Sequence, residues 1–312
     1  MKRMLWLRRV ILIQCFLFGC SSDQMPNYSI IQSLRVLALV LDQPEVNYDS
    51  GVFTPSSVSL TPWVSDLYGN GRSLSMNIYS CLDPGVGIGA TPTCAGSPSL
   101  NSVIQKQVVA PSTSFSGPNF TGSLAPVSLP LAGIVPPPLS QQILYNGYAI
   151  LVFFEIYSTN NPSEKVTSFK RLIFSGSPKT KKNQNPGSVQ VKQNGIEITS
   201  LPIVETNLNA DVPDSETETY SVMDGGGNLG NAKEELETAW FLTGPADIVC
   251  SKKKECTPDG ILSLKRSKPG ELNLFTPPKV SLPSSRGRVL IAVAKDSRGG
   301  VVVKRYCDGL CP

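Results

Sequence analysis

Four acidic residues in one stretch of the sequence could bind a cation through their carboxylates. Asp211, Asp214, Glu216 and Asp224 follow one another closely, and glycines come directly after the last of them. Calcium prefers oxygen ligands of this kind. Their spacing does not match a defined calcium loop, and a solvated acidic loop is the stronger interpretation. Calcium therefore stays the weaker of two alternatives, and we predict no other metal and no cofactor.

The residues on which most enzymatic mechanisms depend are absent from the sequence. It contains no histidine, which is the commonest general base, the commonest metal ligand and the usual partner of a nucleophilic serine or cysteine. Glu155 lies in an apolar strand and could serve a hydrolase, but strand alternation places it on the solvent face, and no partner acid stands at an interpretable position. We predict a non-catalytic protein, with a hydrolase as the weaker alternative.

Six of the eight cysteines are spaced as three local pairs. The predicted disulfides join Cys81 with Cys94, Cys250 with Cys256, and Cys307 with Cys311. An even number of cysteines is typical of chains exported to an oxidising compartment. A structural zinc site is the alternative, but the sequence offers neither a CxxC spacing nor a histidine for it.

The other two cysteines lie at the N terminus, in a segment with the pattern of an export signal. Lys2, Arg3, Arg8 and Arg9 precede or enter a short apolar run at 10–18, and Cys20 follows where that run ends. The run is too short to span a membrane as a helix. The segment resembles the bacterial lipobox, which implies cleavage before Cys20 and acylation of that residue. An ordinary secretory signal is the alternative.

This resemblance predicts a signal peptide at 1–19, a lipidated tether at 20–30 and an anchor in the outer membrane of a Gram-negative cell. The sequence leaves open which face of that membrane carries the protein. Four of the 28 basic residues leave with the signal, so 24 basic residues remain against 24 acidic ones. A chain without net charge has no general attraction to phosphate backbones, and nucleic-acid binding is disfavoured.

The remaining sequence predicts an all-β protein. Glycine and proline number 26 each, and short apolar runs such as 34–41, 147–157 and 289–294 are separated by turn residues without a clear crossover helix. This pattern is typical of β-sandwiches. The polar segment 179–188 has the composition of a linker. We therefore predict one sandwich at 31–178 and a second at 189–312.

Several segments together resemble a group of uncharacterised bacterial outer-membrane lipoproteins with two tandem immunoglobulin-like sandwiches. The segments are LRVLALVLDQPEV, the stretch from Cys81 to Cys94, NQNP, KEELETAWF and VAKDSRGGVVV. The resemblance implies that Trp240 lies in the core of the second sandwich and that Asp296 and Arg298 shape its last hairpin. It implies no catalytic residue.

These observations predict a lipid-anchored, non-catalytic protein of the cell envelope. Its partners would be membrane lipid, through acylated Cys20, and an envelope or extracellular protein or glycan bound by sandwich loops, as in an adhesion module. A set of aromatic residues could line such a surface, although scattered aromatics are more typical of a core: Tyr68, Tyr79, Phe120, Tyr145 and Tyr148. A structural or assembly subunit of an envelope complex is the alternative function.

Overall fold

The computed structural model describes residues 34–66, 72–83, 94, 100–101, 107–109, 120–132, 134–176, 179, 181–243, 247–250, 265–267, 272–276 and 289–307. The predicted signal peptide and the tether with Cys20 lie outside these residues. The described part of the chain is almost entirely β-structure, which confirms the predicted fold class. Within it, no helix has the length and apolar character that crossing a membrane requires.

Among the described residues, the first sandwich contains eleven strands and one short helix. They are β1 (Arg35–Leu41), β2 (Glu45–Asp49), β3 (Val52–Thr54), β4 (Ser57–Asp66), β5 (Leu74–Leu82), β6 (Leu100–Asn101), β7 (Gln107–Val109), β8 (Phe120–Ser123), β9 (Val127–Pro130), α1 (Gln141–Asn146), β10 (Tyr148–Ser158) and β11 (Asn161–Ser175).

The second sandwich follows with eleven strands among the described residues. They are β12 (Gln190–Gln193), β13 (Ile196–Glu197), β14 (Thr206–Asp211), β15 (Thr219–Met223), β16 (Leu229–Lys233), β17 (Leu236–Thr243), β18 (Asp247–Cys250), β19 (Lys265–Ser267), β20 (Leu272–Thr276), β21 (Val289–Asp296) and β22 (Val301–Cys307), with a 3-10 turn at Asp214–Glu216.

Two sheets enclose the core of the first sandwich. One has the strand order β1-β4-β8, with β9 also pairing with β4, and the other has the order β3-β2-β11-β10-β5-β6, with β7 also pairing with β5. The pairing of β2 with β11 is parallel. Side chains from both sheets meet around Leu41, Leu60, Met76, Phe154 and Phe174, all of which are buried.

The second sandwich is built in the same way. Its sheets have the orders β13-β12-β14-β20-β18 and β19-β17-β21-β22, while β15 and β16 form a separate hairpin. Their facing side chains include Val191, Leu208, Phe275 and Leu290. Trp240 is fully buried among them, as the family resemblance implied.

The strand order of both sandwiches is immunoglobulin-like. The sheets β5-β10-β11 and β17-β21-β22 have the C-F-G order of that fold, and β1-β4-β8 and β12-β14-β20 take the places of the strands A, B and E opposite. The prediction of two tandem immunoglobulin-like sandwiches is confirmed by this order.

A third apolar cluster joins the two sandwiches. Leu37 and Ala38 of β1 share it with Phe241 of β17 and with Ile291 and Val293 of β21. Successive side chains of a strand point to opposite faces, so β17 and β21 present alternate residues to the core of the second sandwich and to this junction. Burial on both faces explains why 289–294 is an unbroken apolar run.

Candidate functional site at the junction of the sandwiches

The segment 179–188, which has the composition of a linker, is packed between the two sandwiches. Lys179 and Asn183 are buried. The Asn185 side chain donates a hydrogen bond to the carbonyl of Leu41 (2.6 Å) and accepts one from the backbone N–H of Val301 (2.9 Å). One amide thus bridges the first strand of one sandwich and the last strand of the other.

Glu45, at the start of β2, is the centre of a buried polar network beside this segment. Its Oε1 accepts hydrogen bonds from the Ser175 hydroxyl (2.5 Å) and the Lys179 ammonium (2.7 Å). Its Oε2 accepts from the backbone N–H of Asn183 (2.8 Å) and from the Arg298 guanidinium (2.5 Å). The carboxylate therefore connects the first sandwich, the segment 179–188 and the β21–β22 turn.

The pKa of Glu45 shows that its ionised form is stabilised where it lies. Burial raises the pKa, but hydrogen bonds from Lys179 and Ser175 and the positive charge of Lys179 lower it more, so the net direction is downward. A buried carboxylate that is paired and fully hydrogen-bonded in this way stays charged.

Arg298 extends the network to the second sandwich. Its Nη1 donates to Glu234 (3.1 Å) and more weakly to Glu218 (3.4 Å). Its guanidinium also lies over the ring of Tyr220, 4.4 Å from the centroid, in a cation–π contact. Burial and the nearby charge of Asp296 raise the pKa of Glu234.

Asp296 holds the turn that carries Arg298. Its Oδ1 accepts hydrogen bonds from the backbone N–H groups of Arg298 (2.8 Å) and Gly300 (2.7 Å), and its Oδ2 accepts from the Asn183 side chain (3.3 Å). Gly299 has a φ of +101°, which favours glycine. The predicted hairpin and the role that the resemblance implied for Asp296 agree with this geometry.

Gly300 should be intolerant of any side chain. A Cβ there would lie 2.1 Å from Oδ2 of Asp296 and 2.7 Å from the Gln184 carbonyl oxygen, so Gly300→Ala must displace the carboxylate or the backbone. We expect it to lower the free energy of unfolding by about 1–3 kcal/mol in chemical denaturation. The matched Gly225→Ala, where no atom lies within 4 Å of the new Cβ, should change it by less than about 0.5 kcal/mol. Equal effects would contradict this geometry.

A cleft of about 580 Å³ opens next to this network, between the two sandwiches. β11 and the end of α1 line it on one side, and β15 and the β21–β22 turn line it on the other. The aromatic residues Phe169 and Tyr220 contribute to its wall. Its charged lining residues are Glu45, Lys170, Arg171, Lys179, Lys295, Asp296 and Arg298. Cations thus outnumber anions in the wall of the cleft.

Among the cations of the cleft wall, Lys170 has the pKa that its surroundings shift most clearly. Burial and repulsion from Lys295 lower its pKa to about 8, against the attraction of Asp296. Its ammonium donates a short hydrogen bond to the carbonyl of Gly299. A titratable group with a perturbed pKa in a cleft is a candidate for a binding function.

The structure confirms one of the predicted disulfides. Cys81 and Cys94 are bonded, with Cα atoms 5.9 Å apart, and they pack with Tyr79, Leu151 and Phe153 on the outer face of the first sandwich. Cys307 is also disulfide-bonded. Cys256 and Cys311 lie outside the described residues, and for Cys250 only the backbone is described, so their pairings remain predictions.

Three of the four weak calcium candidates have partners within the protein. Asp211 forms an ion pair with Lys192 (2.6 Å), Glu216 accepts from the backbone of Gly187, and Asp224 accepts from its own turn, including Asn228. Asp214 begins the 3-10 turn. Within the described ranges, no group of three or more histidine, cysteine, aspartate or glutamate side chains is arranged to hold a metal.

The aromatic residues of the predicted binding surface lie in different places, so far as the structure describes their side chains. Tyr79 stacks on Phe153 (4.8 Å between centroids), Tyr145 is buried, and Tyr148 packs at the edge of the first core. Tyr68 and the Phe120 side chain lie outside the described part. Glu155 pairs with Lys165 at 3.0 Å.

Comparisons with known proteins give only distant likenesses. No protein-family model matches the sequence, and no curated protein matches it. Red sea bream transglutaminase is 9% identical over 90% of this chain and 32% of its own, so the chain spans about a third of that protein, with a TM-score of 0.29.

Two smaller solved structures are similarly remote. The YadV chaperone is 10% identical over 86% of this chain and 98% of its own, with a TM-score of 0.26. The collagen adhesin from S. aureus is 7% identical over 90% of this chain and 97% of its own, with a TM-score of 0.20. At such scores the likenesses carry no functional weight, and the class of protein, a tandem immunoglobulin-like β-protein, rests on the strand order above.

The residues that line the cleft could not be recognised as one site from the sequence. Glu45 and Arg298 are 253 positions apart, and nothing local connects them. The available signal was a charged residue close to an apolar run, as at Glu45 after β1 and at Lys170 within β11. Such residues are often solvated, so the signal is weak without the fold.

Proposed function

We propose that this chain is a lipid-anchored, non-catalytic protein of the bacterial cell envelope that binds a partner in the cleft between its two sandwiches. The observation that carries the proposal is the cleft itself, because its walls come from both sandwiches and are held by the buried Glu45 network. Sites at the junction of domains are a common place for ligands.

The chemistry of the cleft favours binding over catalysis. Both carboxylates in its wall are already occupied, Glu45 by four donors and Asp296 by backbone and amide donors. The absence of histidine from the sequence points the same way. The partner class is the one predicted above, an envelope or extracellular protein or glycan.

The anchor is tested by Cys20→Ser. If Cys20 is acylated, this change should move the full-length chain from the membrane fraction to the soluble fraction and abolish labelling with a palmitate analogue. The reason is that the variant lacks the residue that would carry the acyl chains, and these chains provide the anchor. Cys15→Ser, which alters the predicted signal peptide but not the acylated residue, is the matched control and should leave both readouts unchanged. Wild-type protein that stays soluble and unlabelled would overturn the anchor.

Binding in the cleft is tested with the detergent-solubilised full-length protein, exposed to envelope extracts. The Phe169→Asp variant changes a half-exposed residue of the cleft wall, and Ile196→Ala changes an exposed residue of the second sandwich. We expect wild type and Ile196→Ala, but not Phe169→Asp, to retain the same envelope component. Recovery only within a complex of other envelope proteins, regardless of Phe169, would instead support the structural-subunit alternative.

A further inference from the structure

We propose that the cleft binds a carboxylate attached to an apolar group, with Lys170 as the cation that contacts it. This inference rests on the cleft being the binding site proposed above. It names the class of ligand, which the fold alone leaves open.

Three other cations of the cleft wall are neutralised by neighbouring carboxylates. Arg171 pairs with Asp83 at 2.5 Å, and Lys179 and Arg298 pair with Glu45 at 2.7 and 2.5 Å. Their charges are therefore used inside the protein.

Lys170 differs from these residues in its partners. Among the described residues its ammonium makes one hydrogen bond, to the Gly299 carbonyl, although an ammonium can donate three. Asp296, the acid whose charge it feels, has its oxygens occupied by Arg298, Gly300 and Asn183. An anionic group in the cleft would supply the missing acceptors.

The rest of the wall fits the non-ionic part of such a ligand. Tyr220 and Val222 of β15 and Phe169 and Ile173 of β11 are among its lining residues. The volume of about 580 Å³ lies within the range of small-molecule sites. Lys170 offers a single positive charge, which one carboxylate matches more closely than a phosphate dianion.

The test measures binding of three probes to the full-length protein in neutral detergent by isothermal titration calorimetry. The probes are 3-phenylpropionate, the uncharged 3-phenylpropionamide and phenyl phosphate. We expect the carboxylate to bind most tightly and the amide to bind about tenfold more weakly or worse, because a hydrogen bond to a charged group is lost. Lys170→Met should weaken binding of the carboxylate by a similar factor, whereas Lys304→Met, at an exposed position, should leave that binding unchanged.

A pH profile separates a contact from a structural effect. With Lys170 titrating at about 8, carboxylate affinity in the wild type should fall as the pH rises through that value, and Lys170→Met should show no such fall. The charged groups that act on Lys170 are Lys295 and Asp296 of the β21–β22 hairpin, and both proteins carry them unchanged.

The inference would be overturned by equal binding of the carboxylate and the amide or by tighter binding of phenyl phosphate. It would also be overturned if Lys170→Met bound the carboxylate as tightly as the wild type does. Retention of an envelope component by the wild type but not by Phe169→Asp, together with failure of the carboxylate probe, would refute the ligand class and leave the cleft as the site. Binding of the carboxylate probe, together with no Phe169-dependent retention of an envelope component, would refute the proposed function and leave a carboxylate site.

Discussion

Replacing Glu45 by glutamine is expected to lower the free energy of unfolding by about 3–5 kcal/mol, because removing one partner of a buried ion pair leaves uncompensated charge. The Glu45 side chain is 1% exposed and those of Lys179 and Arg298 are 5% and 9% exposed. Urea denaturation of the full-length protein at pH 7 measures the loss. Glu205→Gln, at an exposed position, is the matched control and should change stability by less than about 0.5 kcal/mol.

The same variant carries a pH signature. Since the folded pKa of Glu45 is lowered from its ordinary value of 4.5, its stabilising contribution is present above that value and is lost as the pH falls through the folded pKa. The stability difference between wild type and Glu45→Gln should therefore shrink in acid. The double variant with Lys179→Met should cost less than the sum of the single changes. A loss similar to that of Glu205→Gln would show that the network does not hold the junction.

Phe241→Ala is expected to lower the free energy of unfolding by about 3–5 kcal/mol, as for other buried aromatic residues. Phe241 is 4% exposed but belongs to neither sandwich core, since it packs with Leu37 and Ile291 at the junction. The loss of unfolding free energy in Phe241→Ala therefore measures how firmly the two sandwiches are joined. Urea denaturation followed by circular dichroism gives the value.

Ile196→Ala serves as the control, because Ile196 is 75% exposed and should cost less than about 0.5 kcal/mol. We also expect the wild type to unfold in one transition, since the apolar junction and the Glu45 network couple the sandwiches. Two separate transitions, with Phe241→Ala as mild as the control, would show that the sandwiches behave independently and that the cleft walls are not fixed.

The elements that could be predicted from the sequence are those whose pattern reports burial directly. β10 was recognisable from its apolar run, and the β21–β22 hairpin from two apolar runs around a glycine turn. Strand β16 is hard to predict, because Leu229–Lys233 is mostly exposed and carries little apolar signal. The start of β11 at Asn161 is hard to predict for the same reason, since residues 161–163 are exposed.

The cleft was hidden because most of the polar residues beside it are paired within the protein. Lys179, Asn183 and Asn185 have the composition of a solvated linker, yet they bond to Glu45, Asp296 and Leu41. Composition cannot distinguish a polar group paired with protein from one paired with water. The apolar run of β1 did predict a buried strand, but it could not show that one of its faces meets a second domain.

Crosslinking in intact cells tests most directly whether the cleft is where this protein binds. A photoreactive phenylalanine analogue would replace Phe169 in the cleft wall, or Ile196 as the control, in the full-length chain produced in a Gram-negative cell. Phe169 is 40% exposed and Ile196 is 75% exposed, so random collisions should favour the control position. We predict a discrete crosslinked envelope component at position 169 and none at position 196. Crosslinking at position 196 alone, or at neither position, would contradict binding in the cleft.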